Sequence, residues 1–130
     1  MPSEVDLLAG PLFVLAGPCV IESEEMCLRI AAHLKGICAN LGIPYVFKAS
    51  FDKANRSAAA NFRGAGLDQG LKILGKVRRE IGVPVLTDVH ETAQVAAVGE
   101  IADIVQIPAF LARQTDLLLA CGRTGKIVNI

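Results

Sequence analysis

The chain has 130 residues, 52% of them hydrophobic and 20% charged, which suits one packed domain and argues against general disorder. Thirteen basic and thirteen acidic residues cancel, so the surface as a whole is not built for nucleic acid or acidic lipid. Aromatic residues are only 5% and Trp is absent, which leaves no stacking platform for single-stranded nucleic acid.

The N-terminal stretch from Leu7 to Ala16 is apolar, but Glu4 and Asp6 precede it where a signal peptide needs Lys or Arg. It is also far shorter than the roughly 20 residues that span a bilayer. Residues 1–11 read as an N-terminal extension, and the protein is expected in the cytoplasm. The four cysteines form no Cys-x-x-Cys pair, which fits a reducing compartment better than a disulfide scaffold or zinc finger.

From there the chain alternates. Leu12 to Ala16, Tyr45 to Ala49, Pro84 to Thr87, Ile104 to Ile107 and Ile127 to Ile130 are short apolar runs, the pattern of parallel strands buried on both faces. Between the first two, Ser23 is a natural N-cap, with Glu24 and Glu25 suiting the positive end of a helix. Cys27, Ile30, Ala31, Leu34, Cys38 and Leu41 then make one apolar stripe, and Gly42 with Pro44 ends the helix. Leu67, Leu71, Leu74, Val77 and Ile81 repeat the device, closed by Gly82 and Pro84. Glu91 to Val98 and Asp116 to Cys121 predict two shorter helices. Such alternation means an α/β fold with right-handed crossovers and a parallel sheet, either doubly wound or part of a (β/α)8 barrel. The first strand is followed by neither Gly-x-Gly-x-x-Gly nor a P-loop, which weakens a nucleotide-binding reading.

Polar residues collect where strands end: Cys19, then Lys48 and Ser50, then Asp88 and His90, then Gln106. Parallel α/β proteins place their sites on that edge. A polar group inside an apolar strand costs desolvation unless it has a partner, so six at one edge predict a site. Lys48, Lys53, Arg56 and Arg63 set four cations against the single acid Asp52, a composition suited to phosphate or carboxylate. Cys27, Cys38 and Cys121 read as core. Cys19 follows Gly-Pro at a strand end, where a thiol serves as metal ligand, nucleophile or neither. His33 reads as a surface or structural residue. His90 suits an orienting group as well as a ligand or base.

Four segments resemble the 3-deoxy-D-manno-octulosonate 8-phosphate synthase family: residues 16–23 around Gly17-Pro18-Cys19, residues 48–57 around Lys53-Ala54-Asn55-Arg56-Ser57, residues 87–91 around Asp88-Val89-His90, and residues 106–116 from Gln106-Ile107-Pro108 to Asp116. Gly-Pro-Cys is shared with the related 3-deoxy-heptulosonate 7-phosphate synthases. Lys-Ala-Asn-Arg is sharper, because those enzymes typically carry Lys-Pro-Arg-Thr there.

The resemblance implies a (β/α)8 barrel that condenses phosphoenolpyruvate with D-arabinose 5-phosphate for the inner core of lipopolysaccharide. By motif position it implies that Ser50, Lys53, Gln106, Ala109 and Phe110 serve phosphoenolpyruvate. Lys48, Asn55, Arg56, Ser57 and Asp88 serve the sugar phosphate, with Arg113 nearby, and Lys53 and Asn55 take catalytic roles. The Asn-Arg-Ser segment can reach a neighbouring subunit in the family, which implies a homo-oligomer, a tetramer in the family. Cys at position 19 marks a metal-dependent branch, Asn a metal-free one, so Cys19 is an expected ligand of a divalent ion such as Zn, Fe or Mn. No nucleic acid or membrane partner is expected.

That barrel typically needs about 250 residues. Residues 1–130 are therefore expected to be the N-terminal part of one barrel domain, supplying about five strands. The remaining metal ligands, and a lysine and an arginine for phosphoenolpyruvate, come from later strands in the family, so this stretch alone is expected to be inactive. The competing readings are a heptulosonate 7-phosphate synthase acting on erythrose 4-phosphate and a non-catalytic half-barrel.

Overall fold

A computed structural model describes residues 7, 10, 12–53 and 62–130. Five strands alternate with four helices: β1 (Val14–Val20), α1 (Glu24–Leu41), β2 (Tyr45–Ser50), α2 (Leu67–Ile81), β3 (Val85–Asp88), α3 (Thr92–Ile101), β4 (Ile104–Gln106), α4 (Thr115–Gly122) and β5 (Ile127–Asn129). A single 3-10 turn, Ala109–Leu111, follows β4.

The helix ends follow the expected chemistry. Ser23 accepts a hydrogen bond from the Met26 amide at 3.1 Å. Gly42 and Gly82 close α1 and α2 at φ 66° and 69°, a left-handed conformation that glycine adopts without steric cost. The α1 stripe is narrower than its spacing predicts: Cys27, Ala31 and Cys38 are buried, whereas Leu41 in the last turn is exposed.

All strands are parallel and lie in the order β1-β2-β3-β4-β5. A doubly wound sheet reverses its strand order and carries helices on both faces. Here the order never reverses. Phe47, Val85 and Val105 pack with helix residues such as Cys27, Leu74 and Val98 in one large core. On the opposite face Val46, Leu86 and Ile104 form a second cluster with Leu15 and Ile127 from the strands, joined by Phe13 just before β1 and by Leu7. Helices outside and a strand-lined interior describe a sector of a (β/α)8 barrel.

Two local features depart from the sequence pattern. Leu7, inside the segment read as an extension, is buried against the inner cluster. The first strand is longer than its apolar run and continues through Gly17-Pro18-Cys19 to Val20, with an irregular register between Ala16 and Cys19. That irregularity needs glycine: a Cβ at Gly17 would lie 1.8 Å from the Lys48 carbonyl oxygen. The Tyr45 hydroxyl donates to the Ala16 carbonyl at 2.9 Å beside it.

Candidate active site

Side chains alternate across a strand, so the inner face is met again two residues after each apolar contact. Val46 is followed by Lys48 and Ser50, Leu86 by Asp88, Ile104 by Gln106 and Ile127 by Asn129. Asp88, Gln106 and Asn129 stand in register across β3, β4 and β5. The sheet thereby turns polar at the C-terminal ends of its strands, the edge where barrels hold their sites.

A cleft of about 550 Å³ opens there, lined by Lys53, Asp88, His90, Gln106, Ala109 and Phe110 among others. Lys53 donates to the Ser50 hydroxyl at 2.7 Å. Asn129 Nδ2 donates to Gln106 Oε1 at 2.9 Å. His90 Nε2 lies 3.3 Å from Asp88 Oδ2, and its ring stands edge-on to Phe51 with centroids 5.7 Å apart. The Phe51 contact sets the imidazole beside the carboxylate.

Asp88 is only 6% exposed. Burial acts to raise its pKa, but hydrogen bonding to His90 and Ser50, with the charges of His90 and Lys53, outweighs it and holds the carboxyl below its ordinary value. Asp88 Oδ1 and His90 Nδ1 are buried without a hydrogen-bond partner among the described residues. Buried polar atoms are nearly always paired, so such atoms at a cleft are open to a bound water or a ligand. The cleft combines a cation, a carboxylate acceptor and an amide, a set suited to a small molecule carrying both anionic groups and hydroxyls.

The expected residues divide into three groups. Ser50, Lys53, Asp88, Gln106, Ala109 and Phe110 come together, with the Phe110 ring at the rim and 88% exposed. Lys48 lies on the inner face in register with Leu86, but neither it nor the exposed Arg113 lines this cleft. Asn55, Arg56 and Ser57 lie outside the described residues. Arg63 does not join the cationic set, because it forms a two-pronged ion pair with Asp52 at 2.9 and 2.7 Å. Together with the Lys53 amide bonded to the Arg63 carbonyl, this pair ties residue 63 back to the end of β2. Asn129 was not singled out from the sequence. The alternation that places Gln106 two residues after Ile104 also places Asn129 two residues after Ile127.

The cysteines separate by environment. Burial pushes the Cys27 thiol up to about 11, with the Glu22 charge adding to it, and burial also raises Cys121. These thiols are protonated and inert at neutral pH. Cys19 is exposed and takes φ 68°, a left-handed backbone unusual for any residue but glycine. Strain of this kind clusters at functional positions. Its thiol suits a borderline divalent ion, yet no group of three His, Cys, Asp or Glu among the described residues could hold a metal. No described helix is long and apolar enough to cross a membrane.

Known proteins match this chain closely. A 2-dehydro-3-deoxyphosphooctonate aldolase of Acidithiobacillus ferrooxidans is 59% identical over 123 residues, 95% of this chain and 44% of that protein. The corresponding protein of Koribacter versatilis is 58% identical over 124 residues, 95% and 45% of the two chains. The 2-dehydro-3-deoxyphosphooctonate aldolase 1 of Arabidopsis thaliana is 61% identical over 122 residues, 94% and 42%. The chain thus spans less than half the length of these curated relatives. With the model of the DAHP synthetase I family matching residues 9–130, and with its barrel sector and polar strand ends in place, the chain belongs to that family.

Proposed function

We propose that the intact protein condenses phosphoenolpyruvate with D-arabinose 5-phosphate to 3-deoxy-D-manno-octulosonate 8-phosphate and inorganic phosphate. The observation that carries this reading is that relatives about 60% identical across nearly the whole chain are 2-dehydro-3-deoxyphosphooctonate aldolases. The cleft's cation and its incompletely bonded polar groups support it. In the reaction C3 of phosphoenolpyruvate bonds to the aldehyde carbon of the sugar, water adds at C2, and the C2–O bond breaks to release phosphate. The anionic groups must approach one another, and fixed positive charge offsets their repulsion.

On this reading Ser50, Lys53, Gln106, Ala109 and Phe110 hold phosphoenolpyruvate, and Asp88 with His90 faces the sugar hydroxyls. Lys48, Asn55, Arg56, Ser57 and Arg113 belong to the sugar-phosphate side, with Lys53 and Asn55 closest to the chemistry. Cys19 would hold a zinc, iron or manganese ion together with ligands from outside the described residues; when bound, such an ion acts as a Lewis acid toward the reacting oxygen. A cytoplasmic homo-oligomer serving lipopolysaccharide synthesis completes the proposal.

The test is phosphate release from phosphoenolpyruvate by the intact protein with each of two acceptors. Turnover with arabinose 5-phosphate and none with erythrose 4-phosphate is expected, and the reverse preference would overturn the reading. Exhaustive chelation should remove activity and added metal restore it.

A further inference from the structure

We infer that Gln94 is a positioning residue: its side-chain oxygen fixes the stretch of backbone that carries His90 at the cleft. This rests on the reading of Asp88 with His90 as the groups facing the sugar. Three consecutive amides follow β3. The Val89 N–H donates to the Gln106 carbonyl at 3.0 Å and so stays tied to β4. The next two lie beyond the strand, where a backbone donor needs another partner. Both donate to Gln94 Oε1, His90 N–H at 2.8 Å and Glu91 N–H at 3.3 Å. A backbone N–H can only donate, so these contacts require the oxygen end of the Gln94 amide to face them. An ordinary capping box needs only the Glu91 contact, from the third helical residue back to the N-cap amide. The shorter contact reaches one residue further, outside the helix, and that residue is His90. The His90 imidazole lies 3.3 Å from Asp88 and stands edge-on to Phe51. Phe51 thus sets the ring, and Gln94 sets the main chain from which the ring extends. Gln94 lies in the first turn of α3 and does not line the cleft, so it acts there through His90.

The test uses the intact protein. Gln94→Met keeps the length of the side chain and removes the acceptor. Gln94→Glu keeps an acceptor for the same two amides. Hydrogen exchange of the His90 amide, followed without substrate, should speed up about tenfold in Gln94→Met and stay within about threefold of wild type in Gln94→Glu. Exchange at Val98 and Ile101, further along α3, should not change. The KM for arabinose 5-phosphate should rise roughly three- to tenfold in Gln94→Met and recover in Gln94→Glu, with the KM for phosphoenolpyruvate altered by less than about twofold. In a His90→Ala background, Gln94→Met should add nothing to the KM for the sugar phosphate. Unaltered exchange at His90, an equal rise along the whole of α3, no recovery in Gln94→Glu, or additive effects on KM would each overturn the inference. If His90→Ala leaves the KM for arabinose 5-phosphate unchanged, the placement of His90 under the proposed function fails, while exchange at the His90 amide still judges the Gln94 contact.

Discussion

The lower and upper halves of the inner sheet face are built from the same strands, yet they differ in chemistry. Below, Val46, Leu86 and Ile104 pack with Leu15, Ile127 and Leu7 into a closed apolar layer. Two residues further along each strand the positions are Lys48, Asp88, Gln106 and Asn129. Two buried aspartates show the same contrast. Asp103, just before β4, accepts from the Val85 amide at 2.9 Å and from the Arg78 guanidinium at 3.1 and 2.9 Å. Asp88, at the other end of the neighbouring strand, keeps one carboxylate oxygen without a partner among the described residues. A paired carboxylate secures the fold, whereas an incompletely paired one is available to a ligand.

Substitutions at four positions sharpen or break that comparison. The largest effect is expected below: Leu86→Ala removes a fully buried side chain and should cost about 2–5 kcal/mol of stability, read from denaturant unfolding. Substrate affinity of the folded fraction should stay near wild type; a loss of affinity larger than the loss of stability would break the division. Above it, Lys53→Ala should leave unfolding nearly unchanged and weaken phosphoenolpyruvate by roughly ten- to a hundredfold, the cost of about 1.5–3 kcal/mol for a charge-assisted contact. Calorimetric titration checks this, and unaltered affinity would remove Lys53 from the site.

The third effect concerns backbone strain at Cys19. The left-handed region costs an ordinary residue about 1–2 kcal/mol and costs glycine nothing comparable, with Asn intermediate. Stability should rank Cys19→Gly first, Cys19→Asn next, and Cys19→Ala level with wild type, by urea midpoint. Cys19→Ala matching Cys19→Gly would show that the position is unstrained. The same tolerance gives a physical reason for Asn in the metal-free branch that the resemblance implies.

The smallest effect is a pH dependence, because burial offsets much of the hydrogen bonding to Asp88. Its folded pKa is lowered, so its ionised form stabilises the fold above the ordinary carboxylate value of about 4 and this contribution fades as pH falls below it. Asp88→Asn should therefore lose less stability than wild type below about pH 4. A steeper loss in the variant would reverse the sign argued here.

Much of this arrangement follows from local chemistry. Capping at Ser23 and Gly42, apolar stripes at spacings of three and four, and runs such as Tyr45 to Ala49 depend on neighbours within a few residues, so strands, helices and their alternation are legible in order. The polar strand ends are legible for the same reason, since a lysine or aspartate in an apolar run is visible without coordinates. Other features depend on contacts between distant segments. Arg63 reads as one cation among four, yet only the return of the chain to the end of β2 pairs it with Asp52. Leu7 looks like part of an extension until the inner cluster buries it. The bulge at Gly17 follows from the approach of β1 to the Lys48 carbonyl, a distance that composition does not contain. The choice between a doubly wound sheet and a barrel sector rested on strand order and on which face the helices cover, both consequences of packing across the sheet. Sequence by itself determined the elements and the polar residues at their ends, because propensity and alternation act locally. Tertiary structure decided which charges are already paired, which atoms are left to a ligand, and that Asn129 meets Gln106, because register joins residues that are distant along the chain.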